Sequence, residues 1–351
     1  MFEKNIRIGK KEIGKDAPVF VIAEAGVNHN GDFNLALKLI DEAAEAGVDA
    51  VKFQSFKTEN LILNNIEKAP YQKITTGEDE TQFGMLKKLE MPIAKMKQLK
   101  AYAEGKGLIF LSTPFDEESM EELDDIGIEA FKVASTDTTN ISFLRKMAKK
   151  GKPIILSTGM CDMDEIEQAV SEIEKYNSQL VLLQCTANYP IKDEDANLNL
   201  IPLLQEQYQV ISGYSDHSTG VGAAPYAVPL GAKVIEKHFT LDKSMEGPDH
   251  KASLSPSELK ELVLQIRRVE KYCGEMKFKS PTLEEKETKK ALQKCIVASK
   301  KIAIEDVFTE ENLTCKRTGG QGISARYFDL LLGKRARKDY DIDEIIAEEE
   351  I

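Results

Sequence analysis

The sequence predicts a (β/α)8 barrel followed by a small C-terminal domain, and three observations lead there. Short β-branched and aliphatic runs alternate with amphipathic helical stretches, the pattern of successive βα units rather than of hairpins. Eight such runs fit into about 250 residues, the number and length that a closed parallel barrel needs. No glycine-rich dinucleotide turn follows the first run, which argues against an open doubly wound sheet. The 351-residue chain, 42% hydrophobic and 30% charged, is long enough for one barrel and an appendage with a well-buried core.

The predicted strands are residues 19–26, 50–56, 108–115, 130–135, 153–159, 180–186, 210–216 and 233–240. Helices are expected between them, at residues 34–46, 116–126 and 163–176 among others, several stopped by Gly or Asn. The connection over residues 57–91 is long for a βα loop. Its polar stretch Tyr71-Gln72-Lys73-Ile74-Thr75-Thr76-Gly77-Glu78 fits a lid over a substrate. The barrel is assigned to residues 1–275. Residues 276–290, charged and without apolar periodicity, read as a linker, and residues 291–351 as a small domain with Gly319, Gly320 and Gly322 in one turn.

Composition excludes several classes of function. A net charge of -12 opposes nucleic-acid binding, which needs a basic footprint. No apolar run is long enough to span a bilayer, and residues 1–15 mix charges throughout, so no membrane or secretory role is expected and a cytoplasmic location is. Cys161, Cys185, Cys273, Cys295 and Cys315 form no C-x-x-C pair and read as reduced thiols.

In such a barrel the active site lies at the C-terminal ends of the strands. Those ends carry Glu24, Lys52, Gln54, Thr113, Lys132, Ser135, Ser157, Ser215, His217, Glu236 and His238. Period-two alternation puts Lys52 with Gln54, Ser215 with His217, and Glu236 with His238 on common faces. Lys52 and Lys132 sit inside apolar runs, where an unpaired ammonium is costly, so each needs an anionic partner. Either they form buried pairs with Glu24 or Glu236, or, with the serine hydroxyls, they cradle a carboxylate and a phosphate. His217 and His238 end adjacent strands, a suitable pair for a borderline divalent metal, although hydrogen-bonded core histidines are the plainer alternative. His29 follows the first strand in a turn. Asp249 and His250, in Gly247-Pro248-Asp249-His250, follow the last strand, as a surface turn or a site for sugar hydroxyls.

Six motifs then match one family: Glu24-Ala25-Gly26-Val27-Asn28-His29-Asn30-Gly31, Val51-Lys52-Phe53-Gln54, Ser112-Thr113-Pro114-Phe115, Leu156-Ser157-Thr158-Gly159-Met160, Tyr214-Ser215-Asp216-His217 and Glu236-Lys237-His238-Phe239-Thr240-Leu241-Asp242. Together they resemble the bacterial N-acetylneuraminate (sialic acid) synthases and their legionaminate-synthase relatives over nearly the whole chain. The tail Lys316-Arg317-Thr318-Gly319-Gly320-Gln321-Gly322-Ile323-Ser324 resembles the antifreeze-like SAF domain, a β-clip, that ends these TIM-barrel enzymes.

The resemblance implies a transferase that condenses phosphoenolpyruvate with an N-acetylated amino sugar. N-acetylmannosamine is the first expectation, and 2,4-diacetamido-2,4,6-trideoxymannose, giving N,N'-diacetyllegionaminate, the second. It implies that Lys52, Thr113, Lys132, Ser135, Ser157 and Ser215 hold phosphoenolpyruvate, with Glu24, Lys52 and Lys132 catalytic. Gln54, Asp137, Tyr189, Asp249 and Arg317 are implied to meet the sugar. A divalent ion, manganese ahead of magnesium or cobalt, is implied at His217 and His238, and Arg317 is implied to reach a neighbouring subunit in a domain-swapped homodimer. The chain departs from the family pattern in three places. Ser135-Thr136-Asp137 stands for the usual Ser-Gly-Glu, Gln184 for a frequent histidine, and Thr318 for the proline after the tail arginine. A related aldose-phosphate condensing enzyme would share the barrel but not the tail. A non-catalytic sugar-binding protein on a decayed barrel would have lost site residues that are all present here.

Overall fold

A computed structural model of the chain describes residues 1–77, 79–274, 276 and 278–351, with the side chains of Pro70, Tyr71 and Ile74 left aside. Glu78 of the expected lid, the barrel's expected last residue Glu275, and Lys277 of the expected linker lie outside the described residues. The chain divides into two compact units, Met1–Gly274 and Glu275–Ile351.

The first unit opens with an antiparallel hairpin, β1 (Asn5–Ile8) and β2 (Lys11–Gly14), that the sequence reading did not foresee. Eight strands follow: β3 (Phe20–Gly26), β4 (Ala50–Ser55), β5 (Ile109–Pro114), β6 (Phe131–Val133), β7 (Ile154–Ser157), β8 (Leu180–Cys185), β9 (Ile211–Asp216) and β10 (Val234–His238). Each falls within its expected run. They pair in parallel in the order β5-β4-β3-β10-β9-β8-β7-β6, and β5 packs beside β6, so the sheet curls into a nearly closed barrel. Helices buried on one face cover the outside. Asp32, for example, caps the helix Phe33–Ala46 by accepting from Asn34 N at 2.7 Å, and Ala36, Leu39, Ile40 and Ala43 of that helix face the strands.

Period-two alternation grades the interior from apolar to polar. On β3 the inward side chains run Phe20, Ile22, Glu24; on β4, Ala50, Lys52, Gln54; on β10, Val234, Glu236, His238. The lower members join Leu111, Ile155 and Leu183 in an apolar plug, closed beneath by Ile6, Ile8 and Ile13 of the hairpin. Gly213 of β9 belongs to this layer. A Cβ there would lie 2.4 Å from Val234 O and 2.6 Å from Leu183 Cδ2, closer than atoms pack, so strands β8 and β10 can approach only past a glycine. The plug leaves one end of the barrel to the polar residues.

The second unit pairs β11 (Lys294–Ala298) with β12 (Leu313–Arg317) and has its own apolar core, including Ile296, Phe308, Leu313 and Tyr340. The expected linker is not wholly irregular. A helix spans Leu283–Leu292, started by a reciprocal capping box in which Glu285 N donates to Thr282 Oγ1 (3.1 Å) and Thr282 N to Glu285 Oε2 (2.8 Å). The helix buries no residue, which is why apolar periodicity gave no sign of it.

Candidate active site

A cavity of about 590 Å³ opens at the C-terminal ends of the barrel strands. At its floor lies a cluster of four buried charged groups. Lys52 Nζ is 2.7 Å from Glu24 Oε2 and 3.7 Å from Glu236 Oε2, and donates to Thr113 Oγ1 at 3.0 Å. Lys132 Nζ donates to Ser157 Oγ at 2.7 Å and to Val133 O at 2.9 Å, and lies 3.7 Å from Glu236 Oε1. Ser215 Oγ donates to Glu236 Oε1 (3.0 Å) and Gln54 Nε2 to Glu24 Oε1 (3.2 Å). Glu236 thus faces both lysines at once, the hub that the sequence reading weighed only as a pairing partner. Its signal was available, since it shares a strand face with His238 two residues on.

Burial and charge divide the proton affinities within the cluster. Burial, helped by the neighbouring Glu236 carboxylate and opposed by Lys52, raises Glu24 to about 7. Against the same burial, Lys132 and Lys52 hold Glu236 below the usual carboxylate range. Burial pushes Lys132 down, with Glu236 opposing. Glu24 is therefore the group in the floor poised to gain or lose a proton near neutrality.

One wall carries three rings: Tyr189 is 4.1 Å from His217 and 5.4 Å from His238, and the two imidazoles are 5.6 Å apart, centre to centre. His217 Nδ1 lies 2.8 Å from Thr186 O. A carbonyl can only accept, so Nδ1 carries a proton, and against burial the neighbouring Cys185 and this carbonyl raise the ring above its ordinary value. Burial drives His238 far below its ordinary value, which keeps that ring neutral. Asp249 also lines the cavity, its carboxyl raised to about 6 by burial. The outer cavity is mostly apolar, with Phe56, Leu61, Ile62, Met85, Leu86 and Phe115, and the 57–91 segment folds into helices that supply much of this wall. Gln72 and Gln82 add amides to it, joined by a 2.9 Å bond from Gln82 Nε2 to Gln72 Oε1.

Residues 39–278 match the NeuB family model, and residues 293–351 match the SAF domain. The chain belongs to the NeuB family. It is 48% identical over 331 residues to the N,N'-diacetyllegionaminic acid synthase of Campylobacter jejuni, covering 93% of this chain and 98% of that protein. The protein of the same name from Legionella pneumophila is 41% identical over 332 residues, 93% of each chain. The crystal structure of N-acetylneuraminic acid (sialic acid) synthetase from Leptospira borgpetersenii, in complex with citrate, aligns with a TM-score of 0.73 and 39% identity over 82% of this chain and 97% of that one. This NeuB-family chain is accordingly an enzyme of the synthase type.

The NeuB barrel brings Glu24, Lys52, Gln54, Thr113, Lys132, Ser135, Ser157, Tyr189, Ser215, His217, His238 and Asp249 to one cavity. Asp137 lies in a 3-10 turn after β6, bonded to Thr136 Oγ1 (3.3 Å) and Asn140 Nδ2 (3.2 Å), and its neighbours Ser135 and Thr136 line the cavity. Arg317 ends β12 on the second unit and is exposed. His29 accepts from Gly31 N at 2.9 Å and shapes its turn, while His250 ties Thr240 (2.6 Å) to Asn30 (3.1 Å) and anchors the Asp249 loop. The sequence reading did not single out Cys185 or Gln82 as cavity residues, and placed Gln72 only within the expected lid. Cys185 ends the sixth barrel strand, which is a usable signal; the glutamines reach the cavity only through a fold of the 57–91 segment that no local pattern specifies.

A metal at this site has two protein donors to offer. Among the described residues no group of three or more His, Cys, Asp and Glu converges as a metal cage. The two rings are nevertheless suited to the task. A backbone carbonyl holding the far nitrogen of His217 is the usual support of a ligating histidine, and His238 Nδ1 is buried without a hydrogen-bond partner among the described residues. An ion held by two imidazoles would take its remaining oxygen ligands from water or substrate.

Proposed function

We propose that the enzyme condenses phosphoenolpyruvate with an N-acylated amino sugar to give a nonulosonic acid and phosphate, in the cytoplasm. The observation that carries this reading is the floor of the cavity: two buried ammonium groups, each already bonded to a hydroxyl, beside a carboxyl that titrates near 7. In this reading Lys52 and Lys132 receive the carboxylate and phosphate of phosphoenolpyruvate, and the Thr113, Ser157 and Ser215 hydroxyls turn toward its oxygens, with Ser135 alongside. The anion favours the protonated form of Glu24. Phosphoenolpyruvate C3 bonds to the aldehyde carbon of the open-chain sugar, whose oxygen takes up the proton that Glu24 carries. Water then adds at C2, losing a proton for which Glu24 is the acceptor, and the C2–O bond to phosphate breaks. A divalent ion at His217 and His238, manganese in the first instance, supplies Lewis acidity at the sugar carbonyl when bound. Gln54, Tyr189 and Asp249 orient the sugar. Arg317, as a donor fork for the N-acyl carbonyl, is assigned to the site of a neighbouring subunit in a swapped homodimer.

Among acylated sugars, 2,4-diacetamido-2,4,6-trideoxymannose moves ahead of N-acetylmannosamine, reversing the first expectation. The outer wall supports this order, because a deoxy methyl and two acetyl methyls suit Phe56, Ile62, Met85 and Leu86 better than hydroxyls do. Similarity to the two legionaminic acid synthases agrees. A phosphorylated sugar is disfavoured, since the described lining residues include no lysine or arginine beyond the two at the floor. The test is phosphate release from phosphoenolpyruvate with each of the three sugars, and activity confined to the phosphorylated one would refute the assignment. For Arg317, mixing inactive Lys52→Ala and Arg317→Ala proteins under subunit exchange should restore about a quarter of wild-type activity. Exchange without recovery removes the swapped dimer.

A further inference from the structure

Strands β9 and β10 pair in register, Glu236 opposite Ser215 and Lys237 opposite Asp216. Successive side chains alternate, so the ladder carries the inward Ser215–Glu236 pair, then an outward pair, then the inward imidazoles of His217 and His238. The outward pair is a buried ion pair: Lys237 Nζ lies 2.6 Å from Asp216 Oδ2, with both side chains at most 1% exposed. Every position on both groups is used. Asp216 Oδ1 accepts from Ser218 N (2.8 Å) and Ser218 Oγ (2.6 Å), and Oδ2 also from Ala224 N (3.0 Å). Lys237 donates further to Ser218 O (2.8 Å) and Ser218 Oγ (3.3 Å). The chain after His217 closes tightly around this pair. At Gly222, φ +56, a Cβ would lie 1.9 Å from Ser218 Oγ and 3.1 Å from Lys237 Nζ.

A buried ion pair on the outer wall of a barrel is rarely the most stable choice, because apolar residues of the same volume avoid the desolvation cost. Its position gives it another use. Slipping β9 against β10 by one residue would turn His217 outward, and fraying at the strand ends would separate the two rings. Asp216 and Lys237 stand one residue before each histidine and join the two strands and the following loop at that point. We propose that the Asp216–Lys237 pair is a positioning device that fixes the spacing of His217 and His238, and through it the affinity of the site for a divalent ion. This rests on the reading of the two histidines as metal ligands.

The test uses the full-length protein with both charges removed together, Asp216→Asn with Lys237→Met, since a single substitution strands a buried charge. Manganese affinity, phosphoenolpyruvate affinity and the urea unfolding midpoint are measured in parallel, beside Lys237→Arg and His238→Ala. Manganese binding should weaken about ten- to a hundredfold in the double variant, the range for residues that orient metal ligands. Phosphoenolpyruvate affinity without metal should stay within about twofold by this reasoning, and Lys237→Arg, which keeps the pair, should retain most of the manganese affinity. Wild-type manganese affinity in the folded double variant, with only the unfolding midpoint lowered, would assign the pair to stability alone and overturn the proposal. Wild-type manganese affinity in His238→Ala would instead overturn the metal reading, and the proposal with it.

Discussion

The two faces of the β9–β10 ladder carry buried charge clusters with opposite characters. On the outer face, Asp216 and Lys237 satisfy each other and Ser218, and neither appears among the buried groups lacking a partner. On the inner face, Lys52 and Lys132 each stand 3.7 Å from Glu236, whose Oε2 has no hydrogen-bond partner among the described residues. Each of these lysines has one N–H left after its bonds of 3.0 Å or less, so the inner cluster keeps donors that an anionic ligand can take. A saturated cluster is scaffold. An undersaturated one at the floor of a cavity is a binding site, although the same residue types form both.

Stability separates the two faces most sharply. Lys237→Met leaves Asp216 charged and buried, and should cost about 3–5 kcal/mol. Lys132→Met removes only one of the groups facing Glu236, which keeps Lys52 at 3.7 Å and the Ser215 hydroxyl at 3.0 Å, and should cost about 1 kcal/mol. Urea unfolding of both variants checks this, and equal losses would end the distinction between scaffold and site. Ligand binding should reverse the order. Lys132→Met should weaken phosphoenolpyruvate binding by about 1.5–3 kcal/mol, tenfold or more, as loss of a charge-assisted hydrogen bond requires. Calorimetric titration of that variant reads it directly, and unchanged affinity would remove Lys132 from the phosphoenolpyruvate site.

The inner cluster should also reveal itself through pH. Glu24 is raised in the folded protein, so the unfolded chain releases this proton first as pH rises. Its contribution to stability is complete below about 4.5, the unfolded value, and is lost as pH climbs through about 7. Asp249, raised to about 6, adds a loss of the same sign beginning lower. Glu24→Gln should flatten the stability profile between these limits by at most about 1.4 kcal/mol per pH unit, the ceiling for one proton. An identical slope in the variant would show that Glu24 is ionised throughout.

The inner face was largely legible in the sequence because period two is rigid. Once Lys52 is placed inward, Gln54 must follow, and once His238 is inward, so must Glu236. The eight strands could be read for a related reason: a parallel barrel buries both faces of each strand, giving the nearly continuous apolar runs seen in β7 and β8. Features set by tertiary packing were not legible. The β1–β2 hairpin is two four-residue strands whose exposed positions are charged or polar, and only its role beneath the plug explains Ile6, Ile8 and Ile13. The 3-10 turn over Ser135–Asp137, which puts Ser135 and Thr136 on the cavity, has no local pattern that announces it. Lys237 is plain in the sequence as a charge inside an apolar strand, but its outward direction makes it scaffold rather than site.

The smallest effect belongs to the outer cavity, where the comparison shifts from charged floor to apolar wall. Leu86 lines that wall and is partly exposed, so Leu86→Ala removes apolar contact from any sugar methyl that packs there without disturbing the lysines. At about 0.8 kcal/mol for a buried methylene, the loss should be about 1 kcal/mol, a fivefold rise in KM for 2,4-diacetamido-2,4,6-trideoxymannose. N-acetylmannosamine, with a hydroxyl at C6, should lose less, so the ratio of the two kcat/KM values should move toward it. The KM for phosphoenolpyruvate should not change. Steady-state kinetics with both sugars measures all three quantities in one variant. Equal losses for the two sugars would show that Leu86 meets a part they share, the C2 acetamido group, and would leave the trideoxy preference without support from the wall. A rise in the KM for phosphoenolpyruvate of the same size would break the division between floor and wall, because an apolar side chain at the rim would then be helping to seat the anion.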